Sequence, residues 1–290
     1  MNESKKGLLL VFIGVLLMSI ESPLIKLSNA TNFQTAFYYG FFMSISTFLI
    51  LLFHGKNYLI NAFKIEIIGV VLAGVSIGFS NIFFITAIKQ TSVANVLLIL
   101  ATAPIVCTLL AKIFFKQQAP RYIFIVTFFI LIGLFIMLYF DFKEANMFGN
   151  ILAFGSLISF SSLFVIANRY KYANRFAYIF IGGLIIGTFG FTTIDETDLQ
   201  IDKTSLYILV FLGLFTTPIS RYLIGIGAKY IHPAQTGILT ALESVIAPIL
   251  AIFIIHEYPK TNTIIGGVII LFAIIFNSYL NLKNIKTKRI

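Results

Sequence analysis

The chain has 290 residues, 59% of them hydrophobic and only 11% charged, whereas an ordinary soluble domain carries about 25% charged residues. One water-soluble core cannot absorb that apolar excess, so lipid is the expected solvent. The single cysteine, Cys107, excludes an intrachain disulfide framework, and the net charge of +10 comes from Lys and Arg at the ends of apolar segments, which points to membrane flanks rather than to nucleic acid.

Ten apolar stretches follow one another near 7–27, 33–53, 66–88, 93–115, 122–140, 148–167, 176–194, 205–228, 234–255 and 262–280. Each is close to the roughly 20 residues that cross a bilayer as a helix. Their continuous rather than alternating apolar character excludes a β-barrel. The first stretch follows Lys5 and Lys6 as a signal peptide would. It has no small-residue cleavage site and contains Glu21, Pro23 and Lys26, so it reads as a retained helix. Glu21, beside Ser19, Ser22 and Pro23, is either a gate or proton site reached from outside, or a helix-end charge snorkelling outward with Lys26. The second stretch carries Gln34 and Tyr38, and the third Gly74-x-x-x-Gly78 and Asn81. The fourth carries Asn95 and Pro104, the sixth Ser159 and Ser162, and the seventh Gly183-x-x-x-Gly187. These polar residues either line a cavity or hydrogen-bond between helices, and the glycine pairs fit close packing within a bundle. Nothing in them decides between a monomer and a homodimer.

The eighth and ninth stretches hold the most informative charges. A charge at the bilayer centre costs about 2.5–3.5 kcal/mol on insertion scales, so it needs a partner or a wet cavity. Glu243 lies near the middle of the ninth stretch and Arg221 in the inner half of the eighth. At about 1.5 Å per residue their depths differ by about 3–4 Å, within the reach of an arginine. Glu243 and Arg221 are expected to face each other or a shared polar cavity, either as a substrate site with Glu243 able to take up a proton, or as a structural salt bridge. Pro218 and Pro248 interrupt the same two stretches.

With the N-terminus inside, the outer loops hold only Lys26, Lys89, Lys143, Lys203 and Lys260 of the 21 basic residues, and the acidic loop Asp195, Glu196, Asp198, Asp202 falls outside. That bias predicts ten spans with both termini cytoplasmic. Residues 79–120 also overlay 219–260 without a gap, pairing Ser80 with Ser220, Lys89 with Lys229 and Ala101 with Ala241. Asn81 then takes the place of Arg221, and Asn95 that of Gln235. The expected fold is an all-α integral membrane protein of ten transmembrane helices, built as two five-helix repeats over 1–145 and 146–290. The odd number of helices per half inverts the second repeat.

The segments Asn81-Ile-Phe-Phe-Ile-Thr-Ala87-Ile-Lys89 and Thr91-Ser-Val-Ala-Asn-Val-Leu97, with Ala103-Pro104, resemble the third and fourth helices of the drug/metabolite transporter superfamily, EamA family. Gly149-Asn-Ile-Leu-Ala153 resembles the start of that family's sixth helix, and Ala241-Leu242-Glu243-Ser244 followed by His256-Glu257 its ninth-helix pattern. There are departures. Ile20-Glu21 stands where the family commonly has Trp-Gly, Lys116-Gln117 where it has Gly-Glu at the end of the fourth helix, and Ser244 where it has Pro. The resemblance implies a secondary transporter of amino acids, other metabolites, drugs or cofactors, many members working outward.

No P-loop pattern occurs, so coupling falls to protons, a counter-substrate or nothing. His54, His232 and His256 do not cluster, and no metal or other cofactor is expected. Arg221 and Glu243 suit a zwitterion, so amino acids or similar small polar metabolites are the favoured substrates, and the resemblance implies export from an inner membrane. The alternative within the transporter class is uptake or exchange of a larger cofactor- or nucleotide-like metabolite, which a cavity lined by more cations than Arg221 alone would favour. A membrane-embedded lipid-modifying enzyme would need a His and carboxylate cluster that the sequence does not show, and a channel would need a continuous polar pore.

Overall fold

The computed structural model describes residues 3–90, 93–138, 147–194, 200–255 and 261–287. The first region of the chain forms α1 (Glu3–Met18), α2 (Glu21–Leu27), α3 (Asn32–Phe53), α4 (Lys56–Lys64), α5 (Ile67–Gln90), α6 (Val93–Leu100), α7 (Ala103–Phe115) and α8 (Tyr122–Leu138). Then come α9 (Met147–Arg169), α10 (Arg175–Thr193), α11 (Lys203–Phe211), α12 (Thr217–Ala228), α13 (Pro233–Thr240), α14 (Glu243–Ile255) and α15 (Thr261–Thr287). Every regular element among the described residues is helical. Seven helical stretches there are long and apolar enough to cross a membrane, and Ala103–Phe115, Tyr122–Ile136 and Ile264–Asn277 are shorter apolar helices.

The first, fourth and ninth stretches, continuous in the sequence reading, are each interrupted. Proline is one cause: Pro23 and Pro104 have no N–H to return to the carbonyl four residues earlier. Hydroxyls cover carbonyls near the breaks. Ser19 donates to Val15 at 2.8 Å, Thr102 to Ile99 at 2.7 Å, and Ser244 to Ala241 at 2.7 Å. The α6–α7 and α13–α14 breaks share a pattern. Thr102 N–H bonds the Ile99 carbonyl at 3.1 Å and Leu242 N–H bonds that of Leu239 at 3.1 Å, the same tightened turn 140 positions apart.

The eighth stretch is modified differently. Between α11 and α12, residues Leu212–Thr216 widen into a π turn just before Pro218. Pro218 offers no N–H to the Leu214 carbonyl, and the Ser46 hydroxyl of α3 donates to it at 2.8 Å. Ser46→Ala is expected to cost about 1 kcal/mol, seen as a lower unfolding midpoint in detergent and restored by Ser46→Thr.

The most extensive contacts are α3 with α10, α5 with α9, α8 with α15, α5 with α10, and α1 with α12. Each joins a helix before residue 140 to one after it. Close approach requires glycine at the α3–α10 seam, where a Cβ built on Gly40 would meet the backbone nitrogen of Gly187 and stand 2.8 Å from the Gly183 carbonyl oxygen. Gly74 and Gly78 of α5 lie in the same way against Ile181 and Ile185 of α10. Both small-residue pairs are thus used inside the chain.

At the far end of α7, Lys116 takes the left-handed conformation with φ 53°. Its N–H bonds the Lys112 carbonyl at 3.1 Å, and the Gln117 N–H bonds that of Ala111 at 3.0 Å, closing the helix. A residue with a Cβ gives up about 1 kcal/mol there relative to glycine.

Candidate functional site

Breaking a span changes where its next residues point. Glu21 opens α2 and Glu243 opens α14, and both carboxylates are buried, 2% and 8% exposed. Glu243 also sits in the positive first turn of a 13-residue helix, which favours an acidic group there. The row Thr217, Ser220, Arg221 and Ile224 on α12 is buried, placing the guanidinium between α1 and α9.

These side chains meet in one narrow cavity lined by Met18, Glu21, Ser80, Asn81, Phe84, Leu100, Ser156, Phe160, Arg221 and Glu243. Arg221 Nη2 lies 3.5 Å from Glu21 Oε2, and Nη1 lies 2.6 Å from Met18 Sδ. The guanidinium also stands over the Phe160 ring, 5.3 Å from its centroid. Glu21 further accepts from the Ser220 hydroxyl at 3.3 Å, while the Tyr39 hydroxyl lies 3.3 Å from both Glu21 Oε2 and Asn81 Oδ1. Tyr39 has one proton, so it can donate to only one of them at a time. Glu243 Oε1 accepts from the Ser22 hydroxyl at 3.1 Å. A second small cavity, lined by Leu97, Leu100, Ala101, Phe160, Thr240, Ala241, Glu243 and Ser244, shares Leu100, Phe160 and Glu243 with the first and reaches both tightened turns.

Arg221 and Glu243 thus line one cavity, and the acid that forms the ion pair with Arg221 is Glu21. Glu21 does not snorkel outward with Lys26. Asn81 is at the cavity and also donates to the Ile77 carbonyl at 2.9 Å. Tyr38 is partly buried and packs against Phe37 and Phe42, with ring centroids 5.0 and 6.4 Å away. The tyrosine that reaches the site is its neighbour, Tyr39. Ser162 bonds the Ile158 carbonyl of its own helix at 2.8 Å, and the α9 residues that line the cavity are Ser156 and Phe160. The side chain of Asn95, the acidic residues 195–198 and the His256-Glu257 pair lie outside the described residues. Gln235, the repeat counterpart of Asn95, donates through its amide to the Tyr122 hydroxyl at 2.6 Å, tying α13 to α8.

Sequence reading missed Tyr39 and Ser156, and named Ser22 only as a neighbour of Glu21. Ser80 and Ser220 were visible as a pair in the repeat alignment, though not as neighbours of the charges. Among the described residues, no group of three or more His, Cys, Asp or Glu side chains could hold a metal ion.

The free space open to a water molecule in the main cavity is about 20 Å³, room for about one water. Two acids and one guanidinium therefore share a narrow, largely buried chamber between helices. Such a chamber can exchange a proton or hold the charged groups of a small solute once it opens.

A solved crystal structure of a protein superposes on this chain with a TM-score of 0.76 at 16% identity, covering 93% of this chain and 96% of its own. At that identity the likeness is one of fold. No curated protein matches the chain in sequence. The EamA-like transporter family model matches it twice, over residues 5–139 and 147–279. Together these two matches account for nearly the whole length, so the chain is a multi-pass membrane protein that belongs to the EamA-like transporter family.

Proposed function

We propose that the chain is an inner-membrane secondary transporter of small polar metabolites, with amino acids and related zwitterions as the substrate class and export as the direction. In this reading ten spans form two inverted five-helix repeats, 1–145 and 146–290, with both termini cytoplasmic. Support for the repeat comes from the two family matches and from the tightened turns at Thr102 and Leu242, 140 positions apart. Helices before and after residue 140 pack chiefly on each other, which suits two halves that rock about a shared centre.

The observation that carries the function is the buried cluster of Glu21, Arg221 and Glu243. The Glu21–Arg221 ion pair is neutral as a unit, which leaves Glu243 as the third charge, with the Ser22 hydroxyl bonded to it. An additional buried carboxylate is costly unless it holds a proton or faces a cation. Glu243 is therefore the group that releases a proton when it receives a substrate ammonium. A substrate carboxylate would compete with Glu21 for Arg221. The cavity is too small for a metabolite as it stands, so transport needs the halves to part, and the breaks at 19–20, 101–102 and 241–242 are where the spans can bend. Protons or a counter-substrate are the coupling partners.

The test is uptake into proteoliposomes of the purified protein, against a panel of amino acids and other metabolites, with and without a pH gradient. Gradient-driven flux is expected for at least one zwitterion, with near-complete loss in Glu243→Gln, because an amide can neither carry the proton nor pair with the substrate ammonium. Normal gradient-driven flux in Glu243→Gln would refute the role of that carboxylate.

A further inference from the structure

We propose that a basic pocket at the joined ends of α7 and α9 binds the phosphate of an anionic phospholipid headgroup. The pocket is separate from the central cavity, has a volume of about 420 Å³ and is lined by Phe114, Phe115, Lys116, Gln117 and Arg169. Its two cations come from two different spans, and no carboxylate is among the lining residues. Its floor is fixed before any ligand arrives. The Gln117 amide donates to Asn168 Oδ1 at 3.3 Å, and Asn168 donates to the Ala228 and Ile231 carbonyls at 3.0 and 2.8 Å. Those bonds pin the ends of α7 and α9 to the link between α12 and α13. The Arg169 guanidinium stands 5.8 Å from the centroid of the Phe115 ring, an arrangement that orients it while leaving its N–H groups free of that ring.

Two further features point to a lipid. Lys116 occupies a left-handed helix end at which glycine is unstrained, so a long cation is held at this point against a backbone cost. Ile113 and Phe114, immediately before it, are both 69% exposed. A pocket with cations at its rim and bare apolar side chains running back along a membrane span matches a molecule that carries a phosphate above acyl chains. Free phosphate would use the cations and leave the apolar wall without purpose. Basic pockets at span ends recognise acidic headgroups by this combination of charge and shape.

The test uses full-length protein stripped of lipid in detergent, with bound lipid counted by native mass spectrometry. Phosphatidylglycerol is expected to bind well above phosphatidylcholine. Lys116→Gly, which relieves the backbone strain and so should fold, and Arg169→Gln are each expected to weaken phosphatidylglycerol binding about fivefold, since each cation near an anionic headgroup is worth about that factor. Arg169→Lys and Lys56→Gln, the latter outside the pocket, should retain it. Equal binding of the two lipids, or undiminished phosphatidylglycerol binding in the Lys116→Gly, Arg169→Gln double variant, would overturn the proposal. Inorganic phosphate that displaces the lipid at equal concentration would also overturn it, by showing that the pocket reads the phosphate alone.

Discussion

Arg221→Gln is expected to lower the stability of the folded protein by about 3–5 kcal/mol, because it strips the counter-charge from a buried carboxylate. Arg221 lies 3.5 Å from Glu21 and shares its cavity with Glu243, so its loss leaves two buried acids and no guanidinium. Glu21→Gln should cost less. In that variant Arg221 still faces Glu243 across the same space, and the Ser220 hydroxyl can still donate to the amide oxygen. The double variant Glu21→Gln, Arg221→Gln should recover part of the loss, since it removes one of the two buried acids and leaves only Glu243 without a guanidinium. A double-mutant cycle on unfolding in detergent measures this. A coupling energy near zero would show that the two residues do not act as a unit. If the two single variants cost the same, the idea that Glu243 compensates for Glu21 fails.

Gly40→Val is expected to destabilise the protein by about 1–3 kcal/mol through overpacking, with Gly40→Ala following the same direction to a smaller extent. Its Cβ would fall on the backbone of Gly183 and Gly187, and backbone cannot swing aside as the tip of a side chain can. The contact it spreads is α3 against α10, the most extensive between helices among the described residues. Gly155→Ala makes a useful contrast. The three atoms nearest a Cβ there all belong to the Phe83 ring, the closest at 2.9 Å, and a ring on the end of a side chain can give way. Thermal unfolding should therefore separate the two sites clearly. A wild-type midpoint for Gly40→Val would mean that the seam is looser than its geometry indicates.

The membrane character, the approximate span positions and the family were legible in the sequence because they rest on composition, length and spaced motifs. Arg221 and Glu243 were legible as residues that belong near one cavity, because depth follows from counting along a helix. What could not be read is which way each side chain turns. On α3 the polar residues that mark the buried face, such as Thr35, Ser44 and Thr47, are small and scattered among apolar ones, while Phe41, Phe48 and Leu49 stand exposed. Neighbouring residues on a helix differ by about 100°, and that rotation separates Tyr38, which packs on phenylalanine rings, from Tyr39, which reaches Glu21. The same blindness hid the partner of Arg221. Glu21 reads as a helix-end charge while the first stretch is taken as unbroken. Once the helix ends at Met18 and restarts at Glu21, the carboxylate points inward. Pro23 gave a hint of the interruption but not of the new direction.

The wide turn at Leu212–Thr216 sets the register of everything after it. A turn closed by bonds five residues apart holds one residue more than an α turn, so it advances the following helix by about 100° relative to an uninterrupted one. Thr217, Ser220, Arg221 and Ile224 share one buried face by their own spacing along α12, and the surplus residue sets the direction in which that face points. A homologous chain one residue shorter at this point would carry the same arginine at nearly the same depth yet present it to a different neighbour. In such a lineage, alignment of the sequence would match the arginines while the architecture would not. The length of this one turn, as much as the identity of residue 221, is what turns a positive charge into the buried cavity.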